Sequence, residues 1–209
     1  MDDSQESGGI TPKPRRRWWQ ISLRTLLILV TLLCVWLGWV VNRGERQRRA
    51  MWALQRMRGN ISYDAPRVSS YLGLRSPRDY FYDVDFVSLS ESSLTDAGML
   101  YLKALTSLQR LHLNRTKVTD AGLAHIRDLT ELESLELDAT NVTDAGMAHI
   151  QCLTRLKWLH LTDTQVTDAG VLQLQGLTSL RFIDLRETQV TVAGAAKLRE
   201  VLPKCHVFH

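Results

Sequence analysis

A repeat of 24 residues runs from Val87 to Phe208 and constrains this chain of 209 residues more than any other feature. The tetrapeptide Thr-Asp-Ala-Gly recurs at residues 95–98, 119–122, 143–146 and 167–170. The repeated units begin at Val87, Leu111, Leu135, Leu159 and Ile183. Five equal units predict a solenoid, in which each unit buries its apolar residues against its neighbours. The repeat therefore argues for one domain here and against most enzyme folds.

Each unit predicts a short strand, a turn and a helix. The alternation of Leu111 and Leu113 with polar residues is typical of a strand in a parallel sheet. Thr119 is a favourable helix N-cap, and Asp120 in the first turn meets the positive end of the helix dipole. Since strands lie about 4.8 Å apart and helices are roughly 10 Å wide, the array should curve. We expect an α/β solenoid with a parallel sheet on the concave face and helices on the convex face.

The end of the repeat departs from the consensus. Val192 stands where the other units have Asp. Residues 205–208 follow residues 181–184 by one full period. We therefore expect a sixth strand of the repeat domain that closes the sheet.

The apolar segment from Ile21 to Val41 predicts a single transmembrane helix. Its 21 residues would reach about 31 Å, close to the thickness of the hydrocarbon core. Trp18 and Trp19 suit one headgroup layer, and Trp36 and Trp39 suit the other. A cleaved signal peptide is disfavoured because bulky residues follow the segment, and a buried core helix would need a larger protein around it. Arginines flank both ends, so the side of the membrane on which the repeats lie stays open.

The sequence predicts four parts. Residues 1–17 form a disordered tail with a basic end, residues 18–42 the anchor, residues 43–86 a juxtamembrane helix and N-terminal cap, and residues 87–209 the repeat domain. The basic amphipathic run 44–58 either covers the first repeat or lies on anionic headgroups, and we favour the cap. Residues 61–64 resemble a short strand.

Charge is distributed unevenly between these parts. Residues 1–86 carry 14 Lys and Arg against 8 Asp and Glu, a net of +6, and residues 87–209 carry 12 against 14, a net of −2. A nucleic-acid interface needs clustered cations on one face, so the repeats are not expected to bind nucleic acid. The basic first part instead favours contact of the anchor and its flanking arginines with membrane lipid.

Outward strand positions differ from repeat to repeat, so a partner-binding surface is expected there. The candidate residues are Arg110, His112, Asn114, Ser134, Glu136, Asp138, Trp158, His160, Thr162, Phe182, Asp184 and Arg186. Trp158 and Phe182 are bulky aromatics at equivalent positions of adjacent strands. They either bind a partner or pack on each other and on the terminal strand, and both interpretations stay open.

Catalytic and metal sites are not expected. Stacked carboxylates at Asp96, Asp120, Asp144 and Asp168 could suggest calcium, but Asp at a helix start has a structural explanation. His112 and His160 lie two repeats apart, about 10 Å by strand spacing, which is too far for one metal ion. No nucleophile accompanies them. Three cysteines give no disulfide framework, and no cofactor is predicted.

The repeat resembles that of leucine-rich-repeat proteins. The pattern L-x-x-L-x-L-x-x-T/N followed by V-T-D-A-G-L carries this resemblance over residues 87–209. The first part of the chain resembles planctomycete-type membrane-anchored proteins of this class in bacteria. This resemblance is carried by the arginines, the anchor Trp-Trp-Gln-Ile-Ser-Leu-Arg-Thr-Leu-Leu and the QRRA helix. The resemblance implies a right-handed solenoid for protein recognition. It also implies that Ser92, Thr116, Thr140, Thr164 and Thr188 replace the Asn that bonds to neighbouring coils.

These observations predict a membrane-anchored, non-catalytic module that binds or scaffolds an unknown protein through its concave face. One alternative is an adaptor that recruits a protein substrate, since the repeats also resemble those attached to F-box domains, although no F-box fits in this chain. Another alternative is a self-associating structural protein of the envelope. A hydrolase that uses the concave histidines is the least favoured.

Overall fold

The computed structural model describes residues 23–57, 60–62 and 84–209. The chain divides into two units, Met1–Val40 and Val41–His209. The tail of residues 1–17, Trp18, Trp19 and Ile21 lie outside the described residues. In the first unit, the described side chains of residues 25–39 are all exposed. Within the described residues, no helix combines the length and the apolar character that crossing a membrane requires.

Short strands and helices alternate along the second unit. The strands are β1 (Asn60–Ser62), β2 (Phe86–Ser88), β3 (Arg110–His112), β4 (Ser134–Glu136), β5 (Trp158–His160), β6 (Phe182–Asp184) and β7 (His206–Phe208). The α-helices are α1 (Leu23–Arg56), α2 (Asp96–Met99), α3 (Asp120–Leu123), α4 (Asp144–Ile150), α5 (Asp168–Leu172) and α6 (Val192–Val201). Short 3₁₀ helices follow α2 at Leu102–Ala104 and α5 at Gln173–Gly176.

The described strands form one sheet in the order β1 to β7. Strands β2 to β7 pair in parallel with a register of one repeat, so that Leu111 lies beside Leu135 and Leu135 beside Leu159. This confirms the predicted parallel sheet, and β7 closes it where the sixth strand was expected. Strand β1 adds to the first edge in the antiparallel direction.

The helix α1 differs from the prediction. Instead of a separate basic helix over residues 44–58, one helix runs from Leu23 to Arg56. Its last turns cover the first repeat, with Leu54 fully buried in the common core and Met51 and Met57 packed against that core. Trp52 does not join this apolar face, because its side chain is 71% exposed.

The aspartates of the Thr-Asp-Ala-Gly motifs also bond to the next repeat, in addition to lying at a helix start. In each repeat the carboxylate accepts two hydrogen bonds from the threonine that begins the next repeat's helix. Asp144, for example, accepts from the Thr167 backbone N–H at 2.7 Å and from the Thr167 hydroxyl at 2.6 Å. The same pairs form between Asp96 and Thr119, Asp120 and Thr143, and Asp168 and Thr191. These four rungs tie neighbouring repeats together, and we call them the Asp–Thr ladder.

Each residue of the Thr-Asp-Ala-Gly motif has a place in this ladder. Thr167 donates its hydroxyl proton to Asp144 and accepts a hydrogen bond from the Ala169 N–H, which caps α5. Gly170 leaves room for the Asp144 carboxylate of the preceding repeat, since a Cβ there would overlap that group. At the last rung, the two donors of Thr191 hold the pKa of Asp168 below its usual value. The motif is therefore an inter-repeat connection as well as a helix start.

The threonine column acts within its own repeat, which corrects the role implied by the resemblance. The hydroxyl of Thr116 donates to the carbonyl oxygen of Leu113 at 2.7 Å, three residues back. Thr140, Thr164 and Thr188 make the same bond to the leucine three residues before them. These hydroxyls therefore close the turn of their own coil.

Candidate protein-binding surface

The outward side chains of β3 to β6 and of the residues that follow them form one surface, which we call the strand surface. Strand register places the twelve predicted residues in three rows across the sheet. The first row is Arg110, Ser134, Trp158 and Phe182, and the second is His112, Glu136, His160 and Asp184. The third is Asn114, Asp138, Thr162 and Arg186. The sequence thus predicts which residues share this face, while their role in binding stays a prediction.

The two predicted aromatic residues have different environments. Trp158 is 43% exposed, and the Lys157 Nζ lies 5.8 Å from the centre of its ring. Phe182 is half-buried between two other rings, with centroids 5.1 Å from His160 and 5.0 Å from Phe208. Phe182 therefore packs on the terminal strand, as one interpretation proposed, whereas Trp158 stays accessible to a partner.

Sequence reasoning missed two aromatic residues at the ends of the strand surface. Phe208 on β7 is 50% exposed. Phe86 on β2 precedes the first unit, and its ring lies 4.8 Å from that of His112. The guanidinium of Arg110 lies 5.1 Å from the Phe86 ring and donates to Asp85 at 2.7 Å. The repeat period could have identified both, because Phe86 lies 24 residues before Arg110 and Phe208 lies 24 residues after Asp184.

The middle of the strand surface is a polar network. The Asn114 amide donates to Glu136 at 2.7 Å and accepts from the Asp138 backbone N–H at 3.0 Å. His112 Nε2 lies 3.3 Å from the Glu136 carboxylate. Burial lowers the pKa of His112 despite this neighbour. Burial likewise raises the pKa of Asp138, whose carboxylate accepts from the Thr162 N–H.

Asp184 lies in the surface row but is not an exposed contact residue. Its side chain is only 4% exposed, and Arg186 donates to both of its carboxylate oxygens, at 2.9 Å from Nε and 2.6 Å from Nη2. The hydrogen bonds from the Arg186 guanidinium hold the pKa of Asp184 below its usual value. We therefore interpret Asp184 as the residue that positions Arg186, whose own side chain is 62% exposed.

The described residues do not group three or more His, Cys, Asp or Glu side chains at metal-binding distance. His112 and His160 belong to β3 and β5, with β4 between them, as the repeat spacing predicts. Cys34, Cys152 and Cys205 are all free, and burial raises the pKa of the Cys205 thiol to about 11. A thiol with such a pKa is a weak nucleophile at neutral pH.

Comparison with known protein families gives a match within the repeat region. A family model described as Leucine Rich repeat matches residues 104–126. No curated protein matches the chain. The match and the repeated strand-turn-helix coils support a leucine-rich-repeat protein, a class that generally serves as a protein–protein interaction module.

Several solved structures are similar to parts of the chain, each with a TM-score below 0.5. A leucine-rich-repeat protein of Leptospira interrogans is 24% identical with a TM-score of 0.43, and the match covers 53% of this chain and 27% of that chain. An internalin of Listeria monocytogenes is 19% identical with a TM-score of 0.38, covering 52% and 36%. The leucine-rich-repeat ectodomain of a receptor kinase from Arabidopsis thaliana is 13% identical with a TM-score of 0.45, covering 72% and 76%. The chain thus spans only about a quarter to a third of the length of the first two proteins.

Proposed function

We propose that the chain binds a protein partner through the strand surface and carries out no catalysis of its own. The observation that carries this proposal is the exposure of Trp158 in the middle of the sheet. The neighbouring polar residues Glu136, Asp138 and Asp184 already bond within the protein. Trp158 keeps 43% of its surface accessible, and tryptophan is among the residues that contribute most to protein interfaces.

The row that contains Trp158 also has a shape that suits insertion of a partner side chain. Ser134 separates Arg110 from Trp158 in register, and serine is much smaller than either neighbour. A partner side chain above Ser134 would contact the indole of Trp158, while the guanidinium of Arg110 is directed to Asp85 and Phe86 on the other side of β3. The proposed interface is therefore centred on Ser134 and Trp158.

Replacing Trp158 with alanine should weaken partner binding by about 30-fold or more, since truncating a central aromatic costs about 2 kcal/mol or more. A photo-crosslinking amino acid at position 134 should give a discrete adduct in native membranes, and Trp158→Ala should remove it. Tyr101→Ala is the matched control, because Tyr101 is 40% exposed in the turn between α2 and the 3₁₀ helix of the first repeat, and Trp158 is 43% exposed. An unchanged adduct in Trp158→Ala would contradict the proposal.

The mass of the adduct tests the alternative of a self-associating envelope protein. A product of twice the mass of the chain identifies a second copy as the occupant of the strand surface. A product of another mass identifies a different protein, as we propose. Unfolding midpoints of both variants must match that of the original protein, so that loss of the adduct reports on binding.

We further propose that residues 21–41 anchor the protein in a membrane as a single-pass segment. Residues 21–41 extend beyond the described part of the chain, and their 21-residue, largely apolar sequence supports the proposal, as does the exposure of residues 25–39 on every side of α1. Leucine and valine exposed all around a helix need an apolar surrounding. After extraction with alkaline carbonate, the intact chain should stay with the membrane pellet, and its release into the supernatant would refute anchoring.

A further inference from the structure

We infer that Arg199 closes the outer edge of the sheet, so that β7 does not pair with the same strand of a second copy of this chain. This role is independent of partner binding by the strand surface and of membrane anchoring. It follows from the direction of the β7 backbone groups and from the contact that Arg199 makes with one of them.

Strand β7 has a neighbouring strand on one side. The described sheet runs in the order β1 to β7, so β6 pairs with β7 and no described strand covers its other side. An uncovered strand presents unpaired N–H and C=O groups, to which another chain can add a strand. The β7 edge is therefore a surface at which two copies of the chain could join their sheets.

Val207 is the β7 residue whose backbone faces this open side. The His206 N–H donates to the carbonyl oxygen of Arg181 at 2.8 Å. The Phe208 carbonyl oxygen accepts from the Leu185 N–H, also at 2.8 Å. Both groups point toward β6, and the backbone groups of successive residues in a strand point to opposite sides. The N–H and C=O of Val207 consequently point away from β6.

These two groups suit a second copy of β7. If two copies run antiparallel with Val207 opposite Val207, each residue donates to the other and accepts from it, as in a hydrogen-bonded antiparallel pair. The same residue is then used on both chains, which is the arrangement of a two-fold symmetric dimer. One contact of this kind would join two sheets edge to edge.

Arg199 already occupies the acceptor of this pair. It lies on α6, and its Nη2 donates to the Val207 carbonyl oxygen at 2.8 Å. The guanidinium therefore lies where the N–H of a second strand would have to approach. Pairing of two copies would also bring two Arg199 charges to one contact, and charged side chains are a common protection of sheet edges.

Val192 shows a similar termination on the helix side of this coil. At the equivalent position of an earlier repeat, Asp144 accepts two hydrogen bonds from the next threonine. Val192 is exposed and has no acceptor in its side chain. At both positions, then, the coil lacks a free acceptor for a further coil or strand.

The test measures self-association of the full chain in detergent micelles by sedimentation equilibrium, at chain concentrations up to about 0.3 mM. We expect Arg199→Ala to dimerise at least about ten-fold more tightly than the original protein, because the Val207 carbonyl becomes available for pairing. Association through residues 21–41 is common to all variants and leaves the comparison unchanged. Equal dimerisation of the two proteins, or none by either, would overturn the inference.

Arg181→Ala is the matched control for loss of a positive charge. Arg181 also donates to backbone carbonyls, but these belong to Thr178 and Leu180 of its own coil. Its removal should leave self-association unchanged. A rise equal to that of Arg199→Ala would show that loss of charge is sufficient, and the proposed role of Arg199 would be wrong.

Substitutions at His209 separate strand pairing from association through exposed core. The His209 N–H points to the same side as that of Val207, and proline removes this donor from the edge. Arg199→Ala with His209→Pro should therefore dimerise as weakly as the original protein. Arg199→Ala with His209→Ala loses the same imidazole contact with the Val190 carbonyl and should still dimerise. Equal dimerisation of these two double variants would refute pairing through β7.

Discussion

Replacing Gly170 with alanine is expected to lower the free energy of unfolding by about 2–4 kcal/mol, because the new methyl group overlaps the ladder. Alanine is normally the better helix former by up to about 1 kcal/mol. Here its Cβ would overlap the Asp144 carboxylate and lie 3.0 Å from Val166 Cγ1. Asp144 would have to move and lose its two hydrogen bonds to Thr167.

Gly176 provides the matched control for this change. It lies six residues further along the chain, and a Cβ placed there meets no other atom within 4 Å. Gly176→Ala should therefore be neutral or slightly stabilising. Chemical denaturation of both variants measures the difference, and equal stability of the two would show that the space beside Asp144 has no energetic importance.

Replacing Asp144 with alanine should cost about 3 kcal/mol, because two donors of Thr167 lose a charged acceptor at once. The threonine backbone N–H lies at 2.7 Å and its hydroxyl at 2.6 Å from the carboxylate oxygens. Asp128→Ala is the control for loss of a surface carboxylate. Its ion pairs with Lys103 and Arg127 are long and exposed, and they should contribute less than about 1 kcal/mol.

The double variant of Asp144→Ala and Gly170→Ala tests whether the two residues share one contact. Once the carboxylate is gone, the alanine methyl group at 170 has room, so the second substitution should cost far less than it does alone. The cycle should give a coupling energy of about 1–3 kcal/mol. Simple additivity of the two costs would mean that Gly170 is required for another reason.

The sequence predicts most of the repeat fold, because periodicity states which residues are equivalent. Once Leu111, Leu135 and Leu159 are recognised as equivalent, a stacked parallel sheet is the arrangement that buries all of them. The strand surface follows from the same register. The sequence therefore foresees that Trp158 and Phe182 occupy neighbouring strands.

Contacts between repeats are harder to foresee. A carboxylate at a helix start has a sufficient local explanation in the helix dipole, so nothing in the sequence requires Asp144 to reach Thr167, 23 residues away. The environment of Asp184 is similar. Its side chain is buried and paired with Arg186, whereas alternation alone assigns that position to the surface.

The sequence also does not predict the left-handed backbone conformation that recurs in the repeats. Each repeat places one residue in the left-handed region, with φ between 52° and 60°. These residues are Glu91, Arg115, Ala139, Asp163 and Glu187. Three of them are acidic, one is basic and one is alanine, and none is the glycine that usually marks such a turn. The tight turn is imposed by the stacked coil and not by residue preference.

The Asp–Thr ladder ends at Val192, which stands where the other repeats have the aspartate. Each carboxylate accepts hydrogen bonds from the threonine of the next repeat. Thr191, in the unit that begins at Ile183, donates to Asp168, while the exposed Val192 beside it has no carboxylate to offer. Duplication of an internal 24-residue unit would bring both halves of a new rung with it, whereas a coil added after residue 192 would be joined without one. An inserted internal repeat would therefore be bonded to both of its neighbours through the same carboxylate–threonine contacts.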